Sequence, residues 1–528
     1  VFTNLCTSQI DLAAKELAQG DVIIACQQER QTFEDLAEEI NVDSPGFLDL
    51  RDRAGWGEGD TSAKMSALAA EAILTMPLRK SVDVISEGTC LIIGGTAAID
   101  AANELCDLLA VTVLLDDANL LPFNRKFDCV VGAIRAVNGA LGNFTVKFDA
   151  LQQILPGGRN AFRLSAPKNG TVSNCDIILD LTGNTAFVPS AEKREGYIRA
   201  DPTHLLSVTK ASFEASQLIG TFEKPLYVKL EEALCAHSRA EQPACSNCLN
   251  VCPTGAITSV GEHVAVDPMV CAGCGSCSAV CPSGAISYDA PSIDTIFRRL
   301  TTLASTYKKL SRISPHLLVH DAVYGLEMIS LAARFGRGLP AHVIPLEVDA
   351  LSAFGHAEMV AALACGFEHV DILVTPKSEL NVLEDQKELA HALAGVDAVS
   401  LLQLTDPDDL SEKLYNLDKA TISCSAILPI GSRRQVTRLA TRALQPDADI
   451  ITLPSGAPYG AVVVDTDACT LCLSCVSLCP SGALGDNSDL PQLRFQEDAC
   501  LQCGLCSNIC PENAITLRAQ IDLTDISL

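Results

Sequence analysis

The sequence predicts a multidomain α/β protein into which two small α+β modules rich in cysteine are inserted or appended. Three observations support this fold class. Apolar strand-like segments alternate with amphipathic helices over two long stretches, which is typical of parallel sheets covered by helices. One cysteine motif occurs four times, in two close pairs. The chain has 528 residues and is 48% hydrophobic, which is enough for several folded domains with their own cores.

The repeated motif reads Cys-x2-Cys-x2-Cys-x3-Cys-Pro. Three copies are regular, and in the fourth copy nine residues separate the first two cysteines. This spacing is the ligand run of bacterial two-cluster ferredoxins, in which three cysteines bind one cubane and the fourth binds its neighbour. The motif therefore predicts two ferredoxin modules and four [4Fe–4S] clusters. Zinc is the alternative ligand of Cys-x2-Cys pairs, but four copies with a trailing proline favour iron–sulfur clusters.

Sharing the fourth cysteine between neighbours assigns sixteen of the 24 cysteines to four quartets, each named here after one member. The Cys245 quartet is Cys235, Cys245, Cys248 and Cys281, and the Cys274 quartet is Cys252, Cys271, Cys274 and Cys277. The Cys472 quartet is Cys469, Cys472, Cys475 and Cys510, and the Cys503 quartet is Cys479, Cys500, Cys503 and Cys506. Cys235 is the least regular ligand, because it precedes the stretched spacing.

Charge and hydropathy limit the partners and the location. The formal net charge is −27, and the clusters would add to it, so a nucleic-acid partner is not expected. No apolar run reaches the roughly 18 residues of a transmembrane helix. The start of the chain, Val1–Cys6, lacks the features of a signal peptide. Together with cysteines at cluster spacing, this predicts a cytoplasmic protein without a transmembrane segment.

Residues 1–85 are predicted to be an N-terminal α/β domain. A strand near Val22–Ala25 lies between helices near Asp11–Ala18 and Thr32–Ile40. Cys6 and Cys26 are either a pair near a site or two unconnected core thiols.

Residues 86–230 are predicted to be a degenerate Rossmann-like domain. A strand at Thr89–Ile93 runs into Gly94-Gly95-Thr96, and Asp116 follows the next strand at the position of a ribose-binding acid. Gly94, Gly95 and Asp116 are therefore a candidate dinucleotide site for FAD or a nicotinamide. Thr96 replaces the glycine that lets a pyrophosphate approach, so a fold remnant without a dinucleotide is the alternative.

Residues 231–290 and 461–528 are predicted to be the two ferredoxin modules. In the first, alternating residues on both sides of Gly261-Glu262 predict a hairpin. The insert at 236–244 would lie beside one cluster, where it tunes the potential, docks a partner or is a surface loop.

Residues 291–460 are predicted to be a second α/β domain that opens with a basic amphipathic helix. In so acidic a chain, the basic face of residues 291–312 is expected to meet either the ferredoxin lobe or a partner subunit. Strands near His316–His320, Val343–Leu346, Ile372–Thr375 and Val399–Leu404 predict a parallel sheet. Gly431-Ser432 begins a helix rich in arginine, which is an anion site, a docking face or a solvated helix.

Several stretches resemble a family of bacterial 4Fe–4S polyferredoxin-like proteins. The matching stretches include Asn4-Leu5-Cys6, Ala25-Cys26, Ala54-Gly55-Trp56, Asp180-Leu181-Thr182-Gly183, Gly220–Pro225 and Leu234–Arg239. Proteins of that family are typically encoded beside a molybdenum- or tungsten-dependent formate dehydrogenase. The resemblance implies a redox partner of that kind and supports Cys235 as a ligand.

Two more distant resemblances concern the α/β parts. The combination of a Rossmann fold with ferredoxin modules is similar to the flavin-binding polypeptide of heterodisulfide reductase, but the glycine motif here departs from its pattern. His316–Pro376 resembles the small iron–sulfur protein of some hydrogenases, whose cluster cysteines are missing here. We therefore expect no fifth cluster.

The sequence thus predicts an electron-transfer subunit of an oxidoreductase complex. We identify no substrate-catalytic residue. The alternatives are a flavin-containing or electron-bifurcating oxidoreductase and, with less support, a structural scaffold in a redox complex.

Overall fold

A computed structural model describes residues 4–122, 126–156, 162–417 and 426–524. Cys424 lies outside the described residues. Within them the chain forms two large α/β units, a small N-terminal segment and two cysteine-rich modules. The described part contains no helix that is both long and apolar enough to cross a bilayer.

The N-terminal segment has a small core of its own. Its elements are helix α1 (Ile10–Leu17), strand β1 (Ile23–Ile24), helix α2 (Arg30–Glu39), strand β2 (Gly46–Phe47), a π-turn at Arg51–Gly55 and helix α3 (Ser62–Ala72). Leu17, Ile24 and Phe33 are buried together, and Cys6 and Cys26 both pack against them. The two thiols therefore share one core, which their spacing alone does not establish.

The first large unit is a mixed sheet with helices. Its elements are β3 (Ser81–Ser86), β4 (Thr89–Gly94), α4 (Thr96–Leu105), β5 (Ala110–Leu115), β6 (Asp128–Asn138), β7 (Phe144–Leu155), β8 (Arg163–Leu164), β9 (Thr171–Cys175), β10 (Ile177–Leu181), β11 (Tyr197–Arg199), α5 (Leu205–Ser216) and β12 (Gly220–Pro225). The parallel strands follow the order β6-β5-β4-β10-β11, which is the Rossmann order 3-2-1-4-5. Strand β7 extends the sheet antiparallel to β6.

The first cysteine-rich module follows. Its elements are β13 (Val228–Leu230), β14 (Ser238–Arg239), β15 (Gln242–Pro243), α6 (Asn247–Val251), β16 (Ile257–Val260), β17 (His263–Val266), α7 (Ser276–Ala279) and β18 (Ile286–Tyr288). Strands β16 and β17 pair antiparallel around Gly261-Glu262. The predicted hairpin is thus present at the predicted residues.

The second large unit is a four-stranded parallel sheet with the order β20-β19-β21-β22. Its elements are α8 (Ile293–Leu310), β19 (His316–His320), α9 (Tyr324–Phe335), β20 (Val343–Glu347), α10 (His356–Cys365), β21 (His369–Leu373), α11 (Leu380–Ala394), β22 (Val399–Leu402), α12 (Pro407–Tyr415), α13 (Arg433–Leu444) and β23 (Ile450–Thr452). Alternation of strands and helices in the sequence predicts this sheet well, because the strands are short, rich in apolar residues and largely buried on both faces.

The second module completes the chain. Its elements are β24 (Gly460–Val464), α14 (Ser474–Ser477), β25 (Leu484–Asp486), β26 (Leu493–Phe495), α15 (Leu505–Ile509) and β27 (Ile515–Asp522). Strand β27 pairs with β24 on one side and with β23 of the second α/β unit on the other. Shared strand pairing therefore fixes this module to the α/β unit.

The largest core joins parts that are distant in sequence. Ala67 and Leu68 of α3 are fully buried in the same cluster as Leu300 and Leu303 of α8. Part of the range 1–85 therefore packs within the second α/β unit.

One basic residue of α8, Arg299, meets this N-terminal segment through an ion pair. Arg299 Nε donates to Glu71 Oε1 at 2.7 Å, and both side chains are buried. The acidic partner of Arg299 is thus neither the ferredoxin lobe nor a second protein.

Candidate metal centres

A tight turn before a short helix shapes the cysteine loops. Gly275 precedes α7 with φ of +81°, and Gly504 precedes α15 with φ of +82°. Leu473 precedes α14 in the same left-handed region, with φ of +61°. Glycine adopts this conformation without the strain that a Cβ atom brings. The turn lets the cysteines on either side of it face one point.

The structure brings together the two predicted quartets of the first module. The thiol of Cys248 lies near those of Cys281, Cys245 and Cys235. Cys277 lies near Cys274, Cys271 and Cys252, and also near Cys248 of the other quartet. The fourth cysteine of each motif therefore lies near the other motif's first three. This is the arrangement that a shared-ligand assignment requires, and the assignment itself stays a prediction.

The second module repeats this arrangement. Cys506 interacts with Cys503, Cys500 and Cys479. A small cavity is lined by the members of the Cys472 quartet, which are Cys469, Cys472, Cys475 and Cys510. The structure thus places cysteines of each predicted group near one another, and their assignment as ligands of four clusters stays a prediction.

Burial disfavours ionisation of these thiols in the absence of iron. It raises the pKa of Cys245 to about 11 and the pKa values of Cys248 and Cys506 to about 12. The neighbouring thiolates add to the increase, because like charges repel. Coordinated iron would remove this penalty, since a coordinating thiol is deprotonated outright. The sites therefore fit a group that brings its own positive charge.

Hydrogen bonds to sulfur also fit iron–sulfur clusters. The main-chain N–H of Ile286 donates to Cys281 Sγ at 3.4 Å, and that of Ala514 donates to Cys510 Sγ at 3.3 Å. Gln502 Nε2 donates to Cys500 Sγ at 3.3 Å. Such bonds are among the means by which proteins set cluster potentials.

Zinc is the alternative to an iron–sulfur cluster at these thiols. A structural zinc site needs its ligands around one ion, at about 2.0–2.3 Å. A [4Fe–4S] cube instead takes its four thiolates on four separate irons. Across the described ranges, no three His, Cys, Asp or Glu side chains are placed to hold a single ion.

Cys235 lies in the first module despite its stretched spacing. Its side chain is buried, with 7% exposure. The nine residues that follow it form the short β14–β15 hairpin. At the base of this hairpin, a ring nitrogen of His237 contacts the carbonyl of Cys245 at 2.9 Å. The insert therefore folds outward and leaves Cys235 with its quartet.

That hairpin contacts the second module. Asn508 Nδ2 in α15 donates to the carbonyl oxygen of Pro243 in β15 at 3.0 Å. The thiols of Cys245 and Cys503 lie near each other. The Cys245 and Cys503 quartets therefore face each other across the boundary between modules.

Helix α13 joins both modules to the second α/β unit. Arg433 donates to the carbonyl oxygen of Ser278 in the first module and to Glu358 Oε2 at 2.6 Å. Arg434 donates to the carbonyl oxygen of Cys500 in the second module at 2.5 Å. Of the three predictions for this arginine-rich helix, the structure shows the docking face.

The two quartets that do not face each other, those of Cys472 and Cys274, differ in exposure. Cys472 is exposed, and hydrogen bonds to Ser474 lower the pKa of its thiol. Cys274 instead lines a cleft of about 310 Å³. Asp321, Asp349 and Thr375 line the same cleft after three parallel strands. The Cys274 quartet thus adjoins the carboxyl edge of the sheet, where α/β proteins commonly bind ligands.

The candidate dinucleotide residues lie at the switch point of the first sheet. Gly94 ends β4 with φ of +151°, and a Cβ atom there would lie 2.7 Å from the carbonyl oxygen of Leu181. Close packing of β4 against β10 therefore explains this glycine without a ligand. Gly95 caps α4 and Asp116 is exposed. A dinucleotide at Gly94, Gly95 and Asp116 stays a prediction.

Comparison with known families identifies the cysteine-rich modules. Residues 243–285 and 468–515 each match a family model of the 4Fe-4S dicluster domain. No curated protein matches the sequence. The chain therefore contains two 4Fe-4S dicluster domains and is an iron–sulfur protein, and such domains imply electron transfer. The first match begins after Cys235, so it does not address that ligand.

Replacing Cys235 with alanine tests the irregular ligand. We expect the Cys245 quartet to lose its cluster or to retain a three-iron form, because only three thiolates remain. Iron analysis and EPR of the anaerobically purified variant measure this. Cys106→Ala is the control. Cys106 directly follows α4 in the first large unit and belongs to no quartet. Retention of about sixteen irons per chain would show that Cys235 is not a ligand.

Proposed function

We propose that this chain is an electron-transfer subunit in which four [4Fe–4S] clusters form one relay. The order is the Cys274, Cys245, Cys503 and Cys472 quartets. Each cluster would accept one electron and pass on one electron, with no bond made or broken. The protein's part is to hold the clusters at short separations and to set their potentials.

The contact between the modules carries this proposal. Two independent ferredoxin modules would need no particular orientation. Here the thiols of Cys245 and Cys503 lie near each other, and the Asn508–Pro243 hydrogen bond joins the loops beside them. Strand pairing of β27 with β23 and the arginines of α13 fix the second module in this place. The inner quartets thus connect what would otherwise be two separate pairs.

We further propose that the partner is an oxidoreductase of the formate dehydrogenase class. The resemblance of stretches such as Leu234–Arg239 to polyferredoxin-like proteins supports this partner. Oxidation of formate to carbon dioxide releases two electrons and one proton. The partner would carry out that chemistry, and this chain would take the electrons one at a time and pass them to an acceptor.

Reduction of the complex by formate tests the function. We expect formate to reduce the clusters of this chain when it is purified anaerobically with its native partner, as followed by EPR. The isolated chain should stay oxidised with formate and become reduced with dithionite. Formate reduction of the isolated chain, or a co-purified partner without formate activity, would contradict the proposal.

Because the first sheet has the Rossmann strand order, a flavin-containing enzyme is the alternative to test in the same sample. A flavin-containing oxidoreductase would show stoichiometric FAD on extraction and a hydride-transfer activity. That result would replace the relay with an enzyme similar to the flavin-binding polypeptide of heterodisulfide reductase. Clusters that dithionite cannot reduce would instead indicate a structural scaffold.

A further inference from the structure

In the part of the chain that the structure describes, two arginines lie beside the cysteine quartets without a carboxylate partner. They are Arg194, just before β11, and Arg434, in the first turn of α13. Their hydrogen bonds go to main-chain carbonyl oxygens. This differs from Arg299, Arg334 and Arg433, each of which pairs with an aspartate or a glutamate. A charge removed from water without a counter-charge is costly.

Arg194 contacts the loop that carries Cys252. Its side chain is 7% exposed. Nη1 donates to the carbonyl oxygen of Gly139 at 2.7 Å, and Nη2 donates to that of Thr254 at 2.6 Å. Asp267 and Cys252 lie near it. Asp267 Oδ1 accepts the main-chain N–H of Met269 at 2.9 Å, and the two hydrogen bonds of Arg194 go to main-chain oxygens and not to this carboxylate.

Arg434 contacts the loop that carries Cys500. Nε donates to the carbonyl oxygen of Asp498 at 2.5 Å, and Nη2 donates to that of Cys500 at 2.5 Å. Its guanidinium lies over the ring of Tyr459, 4.6 Å from the centroid. Tyr459, Cys500, Arg438 and Asp498 are the titratable groups near it. The guanidinium group of Arg434 is therefore held against the loop that carries Cys500 of the Cys503 quartet.

We propose that Arg194 and Arg434 are the counter-charges of two clusters, those of the Cys274 and Cys503 quartets, and raise the reduction potentials of these two. A cube with four thiolates carries a negative charge that increases by one on reduction. A fixed cation nearby therefore stabilises the reduced form more than the oxidised form. The arginines, which form no ion pair with Asp267 or Asp498, in turn gain a counter-charge.

The positions of the arginines have a consequence for the relay. The Cys274 and Cys503 quartets are the first and third in the proposed order. Electrons would therefore be held preferentially at alternate clusters. This inference rests on the proposed function, because it requires that the clusters are present and redox-active.

Redox titration of charge variants tests the inference. In Arg434→Gln we expect the reduction equilibrium of one cluster to shift at least tenfold toward the oxidised form, which is about 59 mV for one electron. In Arg194→Gln a different cluster should shift in the same direction. Arg434→Lys keeps the charge, so its potential should lie nearer to the wild type. Potentials are read by EPR at fixed ambient potentials, with iron content measured in parallel.

Arg442→Gln is the matched control on the same helix. Arg442 also donates to a main-chain carbonyl, that of Leu523 at 2.6 Å, which is not in a cysteine loop. Its removal should leave all cluster potentials unchanged. If Arg434→Gln does not retain its cluster, Arg194→Gln tests the inference instead. The reduction equilibrium of one cluster should then shift at least tenfold toward the oxidised form in Arg194→Gln.

Four results would overturn the inference. They are unchanged potentials in both glutamine variants with full iron content, an equal shift in Arg442→Gln, a shift in Arg434→Lys as large as in Arg434→Gln, and loss of iron from both glutamine variants. The last result would assign the arginines to folding alone. Absence of reducible clusters in the wild type would instead contradict the proposed function itself.

Discussion

Replacing Cys503 with alanine is expected to stop electron transfer between the two modules. Cys503 belongs to the quartet that faces Cys245 across the module boundary. Without a cluster there, the Cys472 quartet is separated from the first module. Formate-driven reduction with the partner bound should then leave the clusters on the far side of the gap oxidised. EPR of samples frozen at successive times after formate addition measures this.

Cys472→Ala is the matched control for that experiment. It removes an outer cluster of the same module and leaves the inner pair of quartets intact. The three remaining clusters should still become reduced together. Dithionite should reduce every remaining cluster in both variants, which shows that the far clusters are present. Complete reduction of Cys503→Ala by formate, at the rate of the wild type, would rule out a single relay through this quartet.

The local parts of the molecule could be predicted from the sequence. The hairpin around Gly261-Glu262 follows from alternation and a glycine turn, and both depend on neighbouring residues only. The sheet from His316 to Leu402 follows from apolar strands between amphipathic helices. The position of the two dicluster domains follows from the repeated motif, because ligand spacing is fixed by the shape of the cube.

Contacts between distant segments could not be predicted in this way. Nothing in the periodicity of α3 shows that Leu68 packs against α8, or that Glu71 pairs with Arg299. For the insert after Cys235, the sequence is compatible with a tuning element, a docking element and a surface loop. The structure shows that it contacts α15 of the chain's own second module through Pro243. Such contacts depend on how whole units pack, and no single segment encodes them.

The arginines of α13 illustrate the same difference at the level of one side chain. A glycine turn before a basic helix is a pattern that also suits an anion site. Arg433 and Arg434 instead donate to carbonyl oxygens of the two modules. An anion site and a docking face need the same residue types at the same spacing. Only the placement of the neighbouring loops distinguishes them.

Replacing Gly275 with alanine is expected to separate the first module from the second α/β unit. A Cβ atom at this position would lie 2.4 Å from Ala353 Cβ and 2.9 Å from the Ala353 main-chain nitrogen. The left-handed backbone conformation adds about 1–2 kcal/mol of strain. The steric overlap adds about 1–3 kcal/mol, because neither neighbour has a flexible side chain that can move away. Cys274 and Cys277 flank Gly275 in the sequence. The cluster of the Cys274 quartet should therefore be lost first on heating.

Gly504 provides the control, since it occupies the same place in the second module. It has φ of +82°, and a Cβ atom there would meet nothing within 4 Å. In Gly504→Ala the free energy of unfolding should therefore fall only by the backbone strain, about 1–2 kcal/mol. Loss of visible cluster absorption during heating at one fixed rate compares the two variants. Equal midpoints for both would mean that the contact with Ala353 does not hold the module. A larger loss in Gly275→Ala, confined to the first module's EPR signals, would show that this contact positions the Cys274 quartet at the edge of the sheet.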